Sequence, residues 1–406
     1  MSEKISTTPA SSSSAPTPPK TDRLNTILLM AAIIMVAINL RPALIAVGPL
    51  VDTMRASLGL SSAAFGVLMT LPVLCFGVFA PFAPRLLRYW SPEHIILANM
   101  VLLGLGLVWR SASGVIALFG GTLVAGLSIS VIMVLLPSII KRHFAAHASL
   151  MMGVYTTALA LGATVAAGIT VPFADVFGGW RWALGIWFVP AVFGFFAWWR
   201  WGPAPERISA NPNKGGLRLT RNWLAWQVTL YMGLQGAIAY SVFGWLPLIL
   251  VDRGLSERDS GYVLAVMMFV QLWSSIAGPW LAMKGRDQRP TVLLMLGFVS
   301  VGWLCFMYGA IDYVWVWAVI FGLGFGGMFS LAMVFLVLRA PDPAAAAALS
   351  GMAQGAGYTV SAMAPLFIGV LHDLTHSWHS VSAFMILLMI GTLWAGLLAG
   401  RAKLIS

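Results

Sequence analysis

The chain has 406 residues, 59% of them hydrophobic and only 9% charged, with a formal net charge of +11. A soluble globular domain carries about 25% charged residues, so this composition excludes one. The positive charge is scattered between apolar stretches instead of gathering in one patch, which excludes a nucleic-acid surface.

Taken in chain order, residues 1–25 form a Ser/Thr/Pro-rich tail too poor in apolar residues to fold, a disordered cytoplasmic tail. The first apolar segment is too long for a signal peptide and continues straight into the next, so it is expected to be retained. Twelve apolar spans follow, near 26–50, 61–84, 94–109, 114–140, 148–173, 181–201, 223–250, 259–283, 290–310, 313–338, 344–371 and 380–400. Each is read as a membrane-crossing helix, since about 20 apolar residues span a bilayer. Residues 202–222, rich in Pro, Gly, Asn and basic residues, read as a cytoplasmic linker. They divide a six-helix bundle over 26–201 from a second over 223–401, and 402–406 form a short cytoplasmic tail.

With the N-terminus inside, 18 of the 24 basic residues fall on one face of the membrane. The other face holds five: Arg55, Arg110, Arg181, Arg253 and Arg258. That asymmetry predicts a multi-pass membrane protein with both termini cytoplasmic. It leaves Arg41 as the one basic residue inside a span.

The two bundles repeat. Residues 59–66 read G-L-S-S-A-A-F-G and residues 254–261 read G-L-S-E-R-D-S-G, 195 positions apart. Gly153, Asp175 and Trp180 match Gly351, Asp373 and Trp378 at an offset of 198, as Pro49 matches Pro247. Two parallel six-helix repeats joined by a loop are the architecture of the major facilitator transporters, with a central site near the midplane. Glycine clusters in the fourth span (Gly120, Gly121, Gly126) and the tenth (Gly322, Gly324, Gly326, Gly327) predict close helix crossings.

Arg41 lies within A37-I-N-L-R-P-A-L44. A charge at the centre of a membrane helix costs ~2.5–3.5 kcal/mol on insertion scales. Snorkelling does not relieve it, because the outer end of the span is about 13 Å away at 1.5 Å per residue and the side chain reaches about half that. No Asp or Glu lies well inside any span to pair with it. At the repeat offset Arg41 corresponds to Ala239, so the fold itself does not require an arginine there. Arg41 is therefore expected to face the central cavity and bind an anionic or electron-rich solute through its bidentate fork. Pro42 removes the backbone bond to the Ile38 carbonyl, which, with Asn39, would add polarity to the site.

Other polar side chains recur at helical spacing: Gln227, Tyr231 and Gln235; Gln354, Tyr358 and Ser361; Tyr155, Thr156 and Thr157; and Gln271. The residues expected to contact solute beside Arg41 are Asn39, Tyr155, Gln235, Tyr240, Gln354 and Tyr358.

The segments L40-R-P-A-L-I-A-V-G-P-L50, L224-A-W-Q-V-T-L230, F243-G-W-L-P-L-I-L250 and L349-S-G-M-A-Q-G-A-G-Y358 resemble the cyanate/nitroimidazole transporter family of the major facilitator superfamily. The seventh and eleventh spans are most similar to the nitroimidazole branch. The resemblance implies an inner-membrane carrier of small planar nitrogenous compounds or small anions, and maps the arginine of the family's first helix onto Arg41. The superfamily's charged pattern between helices 2 and 3 is reduced here to Arg85, Arg88 and Glu93, while Arg286, Asp287 and Arg289 keep more of it between helices 8 and 9. These six are the expected gating charges.

The sequence holds no nucleotide loop, HExxH or nucleophile elbow, so an enzyme is not expected. Cys75 and Cys305 sit in apolar spans and build neither disulfide nor metal site. His372, His376 and His379 with Asp373 are read as a solvated loop and not as a metal site. The partners expected are a small-molecule substrate and the lipid bilayer, with no cofactor, metal or nucleic acid, and the chain is read as a monomer. The alternatives kept open are a multidrug-type exporter and a facilitative or anion-exchange carrier. No acid lies in the expected cavity, so coupling is either exchange or proton movement through Asp175 and Asp373, with exchange favoured.

Overall fold

The structure, a computed structural model, describes residues 23–79, 86–87, 89–144, 147–205, 219–285, 287–341 and 343–405. Twelve helices in it are long and apolar enough to cross a membrane. In chain order they are α1 (Arg23–Leu58), α2 (Ser62–Phe79), α3 (Pro92–Arg110), α4 (Val115–His143), α5 (Leu150–Phe177) and α6 (Trp180–Trp201). The second half has α7 (Trp223–Asp252), α8 (Glu257–Lys284), α9 (Arg289–Tyr308), α10 (Ile311–Leu338), α11 (Ala348–Thr375) and α12 (Trp378–Ala399). The third span, the shortest in the sequence, is a full helix, capped by the Ser91 hydroxyl on the His94 N–H. Of the expected segments, tail residues 1–22 and linker residues 206–218 lie outside the described residues, as do 80–85 at the end of the second span.

The repeat seen in sequence recurs as contacts. Gly59 (φ 63°) and Gly254 (φ 104°) take the positive φ that ends a helix and that other residues resist. Two residues on, Ser61 and Ser256 cap the next helix, accepting the N–H of Ala64 at 3.1 Å and of Asp259 at 3.0 Å. The G-L-S motif is thus a stop followed by a start. Likewise Trp180 Nε1 donates to Ser57 Oγ at 2.9 Å, and its counterpart Trp378 donates to Asp252 Oδ2 at 2.7 Å.

The glycine clusters mark helix crossings. A Cβ on Gly126 would sit 2.7 Å from Pro72 Cα, and one on Gly322 would sit 2.8 Å from the Met267 carbonyl oxygen. Small residues let backbones approach where hydrophobicity cannot drive association.

Among the described residues two membrane helices break, both in the first half. α1 stops at Ile38, turns through Asn39–Arg41, resumes as Pro42–Ile45, tightens to a 3-10 turn over Gly48–Leu50 and continues from Val51. α6 is interrupted between Gly185 and Phe188. Their repeat counterparts, α7 and α12, run unbroken.

The halves meet along α2 and α11 and along α5 and α8. The hydrogen bonds described between them gather at the end distal to both termini. Asp373 accepts from the Ser62 and Ala63 N–H groups at 2.9 and 2.6 Å. Arg258 donates to Asp175 at 2.6 Å and Thr53 donates to Glu257 at 2.6 Å. The innermost bond runs from Thr70 Oγ1 to the Ala362 carbonyl at 2.6 Å, midway along both helices. The distal end is closed.

Candidate functional site

The α1 break is held from three sides. Ile38, whose carbonyl Pro42 leaves without its helical donor, lies against α5 at Gly162, where a Cβ would collide with that oxygen. Asn39 Nδ2 donates to the Met35 carbonyl at 2.6 Å and to the Pro190 carbonyl of α6 at 3.0 Å. Arg110, fully buried at the end of α3, donates from Nη1 to the Ala43 carbonyl at 2.7 Å and from Nη2 to the Leu184 carbonyl at 3.4 Å.

Asn39 thus turns its amide nitrogen onto α1 and α6. Two expectations are corrected here. The Ile38 carbonyl is covered by α5 instead of adding polarity to a cavity. Arg41 is not the only arginine within the bundle, because Arg110, counted in a loop, is wholly enclosed.

Arg41 itself is half-buried. Among the described residues no hydrogen bond or ion pair engages its guanidinium. Its charge reaches three buried tyrosines from three other helices: Tyr155 of α5, Tyr240 of α7 and Tyr358 of α11. Tyr240 and Tyr358 meet edge to face with ring centroids 6.4 Å apart. Phe76 packs edge-on to Tyr358 at 5.7 Å, Phe243 to Tyr240 at 6.0 Å, and Phe325 to Phe243 at 5.5 Å. The Tyr155 hydroxyl is enclosed and has no hydrogen-bond partner among the described residues. On the distal side of this group, Leu44, Val47, Met69, Pro72, Thr122, Tyr240 and Phe243 line a cavity of about 10 Å³, the room of a single water. The Thr122 hydroxyl there is also unpartnered.

The remaining expected residues sit elsewhere or are occupied. Gln235 is buried and donates to the Met232 carbonyl of its own helix at 3.1 Å. Gln354 is half-buried and donates to Ser350 Oγ at 2.8 Å. Tyr231 donates to the Met328 carbonyl at 3.2 Å, and Gln227 accepts from Arg401 at 3.1 Å, so both tie helices together. Of the gating charges, Arg85, Arg88 and Arg286 lie outside the described residues. Glu93 is buried and paired with Arg142 of α4. Asp287 accepts the Arg289 N–H at 2.9 Å, and Arg289 Nε donates to the Leu397 carbonyl at 3.1 Å. Of the histidine cluster, His372 bonds Ser62 at 3.1 Å and lies 4.1 Å from the Trp378 ring, while His379 stacks on Tyr308 at 5.6 Å.

Phe76, Phe243, Thr122 and Arg110 were not singled out from sequence. A lone Phe or Thr in an apolar helix carries no signal of which way it faces, and an Arg before S111-A-S-G114 reads as a loop cation.

Comparison with known proteins places the site in its family. A model described as Major Facilitator Superfamily matches residues 27–365. The chain belongs to the major facilitator superfamily. It is 34% identical over 385 residues to the 2-nitroimidazole transporter of Escherichia coli (strain K12), covering 93% of this chain and 97% of that protein. It is 30% identical over 364 residues to the cyanate transport protein CynX of the same organism, covering 89% and 94%. A crystal structure of a D-xylose–proton symporter matches with a TM-score of 0.76 at 14% identity, over 94% of this chain and 98% of that one, which bears on the fold alone. This facilitator protein is therefore a secondary transporter of a small solute and not an enzyme, and the resemblance to the cyanate/nitroimidazole family holds.

Tyr155→Phe separates a solute contact from a packing role. A buried hydroxyl without a partner costs about 1–3 kcal/mol, so the variant should melt at or above the wild-type temperature. If the hydroxyl meets the solute, apparent affinity falls about tenfold in the same variant; unchanged affinity in a flux assay would remove Tyr155 from the site.

Proposed function

We propose that this carrier moves a small planar anionic or nitrogen-rich solute across the bacterial inner membrane by alternating access, and that Arg41 holds the solute. The observation that carries this is a half-buried guanidinium with no hydrogen bond or ion pair among the described residues, whose charge reaches buried tyrosines on three other helices. The fork offers paired donors to a planar oxygen or nitrogen acceptor. The names of the cyanate and 2-nitroimidazole relatives support the same solute chemistry. With both termini cytoplasmic, as the basic residues favour, the distal closure faces outward in this state.

We further propose exchange or facilitated movement as the mode of coupling. Asp175 and Asp373, the acids that could carry protons, are both engaged in closing the distal end. Asp373 satisfies two N–H groups at the start of α2, where a helix leaves its first donors unpaired and favours negative charge. Asp175 pairs with Arg258 at the start of α8, with both side chains about half exposed (52% and 53%), where an ion pair contributes little. Ser62 and Ala63 correspond to Glu257 and Arg258 at the G-L-S offset, so each acid grips the same place on the opposite half. This reading makes them latches.

Proteoliposomes with an imposed pH gradient and no counter-substrate should show no uphill accumulation of cyanate or 2-nitroimidazole. Asp373→Asn should slow flux a few-fold by weakening closure, and Asp175→Asn should do less. Strong accumulation that either variant abolishes would overturn exchange and establish a proton role.

A further inference from the structure

The strongest feature that the solute site does not use is Arg110. It is fully buried, yet the two hydrogen bonds described for it go to carbonyls and Nε has no partner among the described residues. Among the described residues no carboxylate pairs with it. Burying an ion costs several kcal/mol even after relaxation, so packing alone is a poor reason to place an arginine here. Its acceptors are informative. Ala43 belongs to the short helix that follows Arg41, and Leu184 to the last turn before the α6 interruption. One guanidinium thus spans the two broken helices of this half.

The repeat supplies an internal control. In the second half the counterparts of α1 and α6 are continuous. At the offset of 198 the counterpart of Arg110 is Tyr308, which is exposed and stacks on His379. The second half also buries an arginine, Arg339, but at the other end of the bundle, beyond α10, where it serves Ala399 and Gln288. The depth of Arg110 is fixed by α4, since a Cβ on Gly121 would collide with the Arg110 backbone nitrogen and lie 2.6 Å from its Cα. Unwound backbone is tolerated in a membrane where protein donors satisfy it, and Arg110 supplies such a donor to a segment that begins at Arg41.

We infer that Arg110 is a positioning residue: it bridges the Ala43 and Leu184 carbonyls and so holds the α1 break in the geometry that presents Arg41 to the solute. This rests on the Arg41 reading above. A lysine would keep the charge but, as a compact point donor, would not span two carbonyls in fixed directions.

The test needs no knowledge of the solute. In a chain with Cys75 and Cys305 replaced, Gln354→Cys places a thiol one turn from Tyr358. The readout is the rate of modification by an anionic methanethiosulfonate divided by that of a cationic one, which cancels accessibility. Arg41 should favour the anionic reagent on the order of tenfold, and Arg41→Ala should bring the ratio to about two. Arg110→Lys should lower the ratio nearly as far, and should add nothing in the Arg41→Ala background. Gly121→Ala, which keeps both charges but displaces the Arg110 backbone, should lower it too and serves if the lysine variant does not fold. A ratio unchanged in Arg110→Lys and Gly121→Ala, but lost in Arg41→Ala, would overturn the positioning role while leaving the Arg41 site standing. A ratio indifferent to Arg41→Ala would overturn both.

Discussion

Arg41→Ala should abolish transport while leaving the protein folded. The side chain makes no hydrogen bond or ion pair among the described residues, so truncation removes an unpaired charge from the bundle and breaks nothing. The Tm should stay level or rise. Against that, a solute held by a guanidinium in a dry site loses about 3 kcal/mol when the charge is removed, on the order of a hundredfold in affinity. Arg41→Lys should recover little, since an ammonium offers one compact point donor where the fork offers two in a plane. Flux in sealed proteoliposomes, alongside a melting curve for each variant, decides the matter. An Arg41→Ala carrier that transports at the wild-type rate ends the solute-site reading. One that fails only because its Tm has collapsed shows instead that Arg41 is structural.

Gly369→Val should stop the cycle by a different route. Gly369 lies on α11 where it crosses the start of α2. A Cβ there would collide with the Ser62 carbonyl oxygen, 2.8 Å from its carbon and 3.1 Å from Ala63 Cα. These are backbone atoms in the first turn of α2, so no side chain can move aside. Gly369 has no positive φ, so valine fits its own helix and each six-helix half should fold. What fails is the meeting of the halves at the distal end, where Asp373 can no longer reach the Ser62 and Ala63 N–H groups. Overpacking a tight contact typically costs 1–3 kcal/mol, enough to shift a two-state equilibrium by about five- to a hundredfold. Transport should therefore be lost with the distal end held open. The check is labelling of Thr70→Cys, in a chain without Cys75 and Cys305, by an impermeant maleimide applied from the distal face of oriented vesicles. Labelling should rise in Gly369→Val. Normal transport, or unchanged labelling, would mean that this crossing is not the closing contact.

Much of the architecture is legible in the residues one after another. A span is a matter of length and apolar content, and a bilayer leaves a run such as Val115–His143 no alternative to helix, because its backbone groups can bond only to each other. The G-L-S stops and starts, the matching tryptophans and the offset of 198 give the repeat for the same reason: they are local signals. Arg41 stands out because one charge in an apolar run is costly wherever the helix points.

The surroundings of Arg41 depend on which side each helix turns inward, and that the sequence does not carry. In a soluble helix a polar face announces the outside; here the lipid-facing side is as apolar as the core. Trp199 and Phe193 are exposed while Trp198 and Ala197 beside them are buried, yet nothing in their chemistry distinguishes them. So the chain alone determined twelve helices, two repeats and one conspicuous arginine. Tertiary packing alone decided that Asn39 serves helix 6, that Arg110 lies within the bundle, and that Asp175 and Asp373 reach across to the opposite half. It also decided that Tyr155, Tyr240 and Tyr358, on helices far apart in sequence, all lie within reach of the Arg41 charge. Hydropathy fixes a helix's depth in the bilayer but not its rotation, and a binding site is made of rotations.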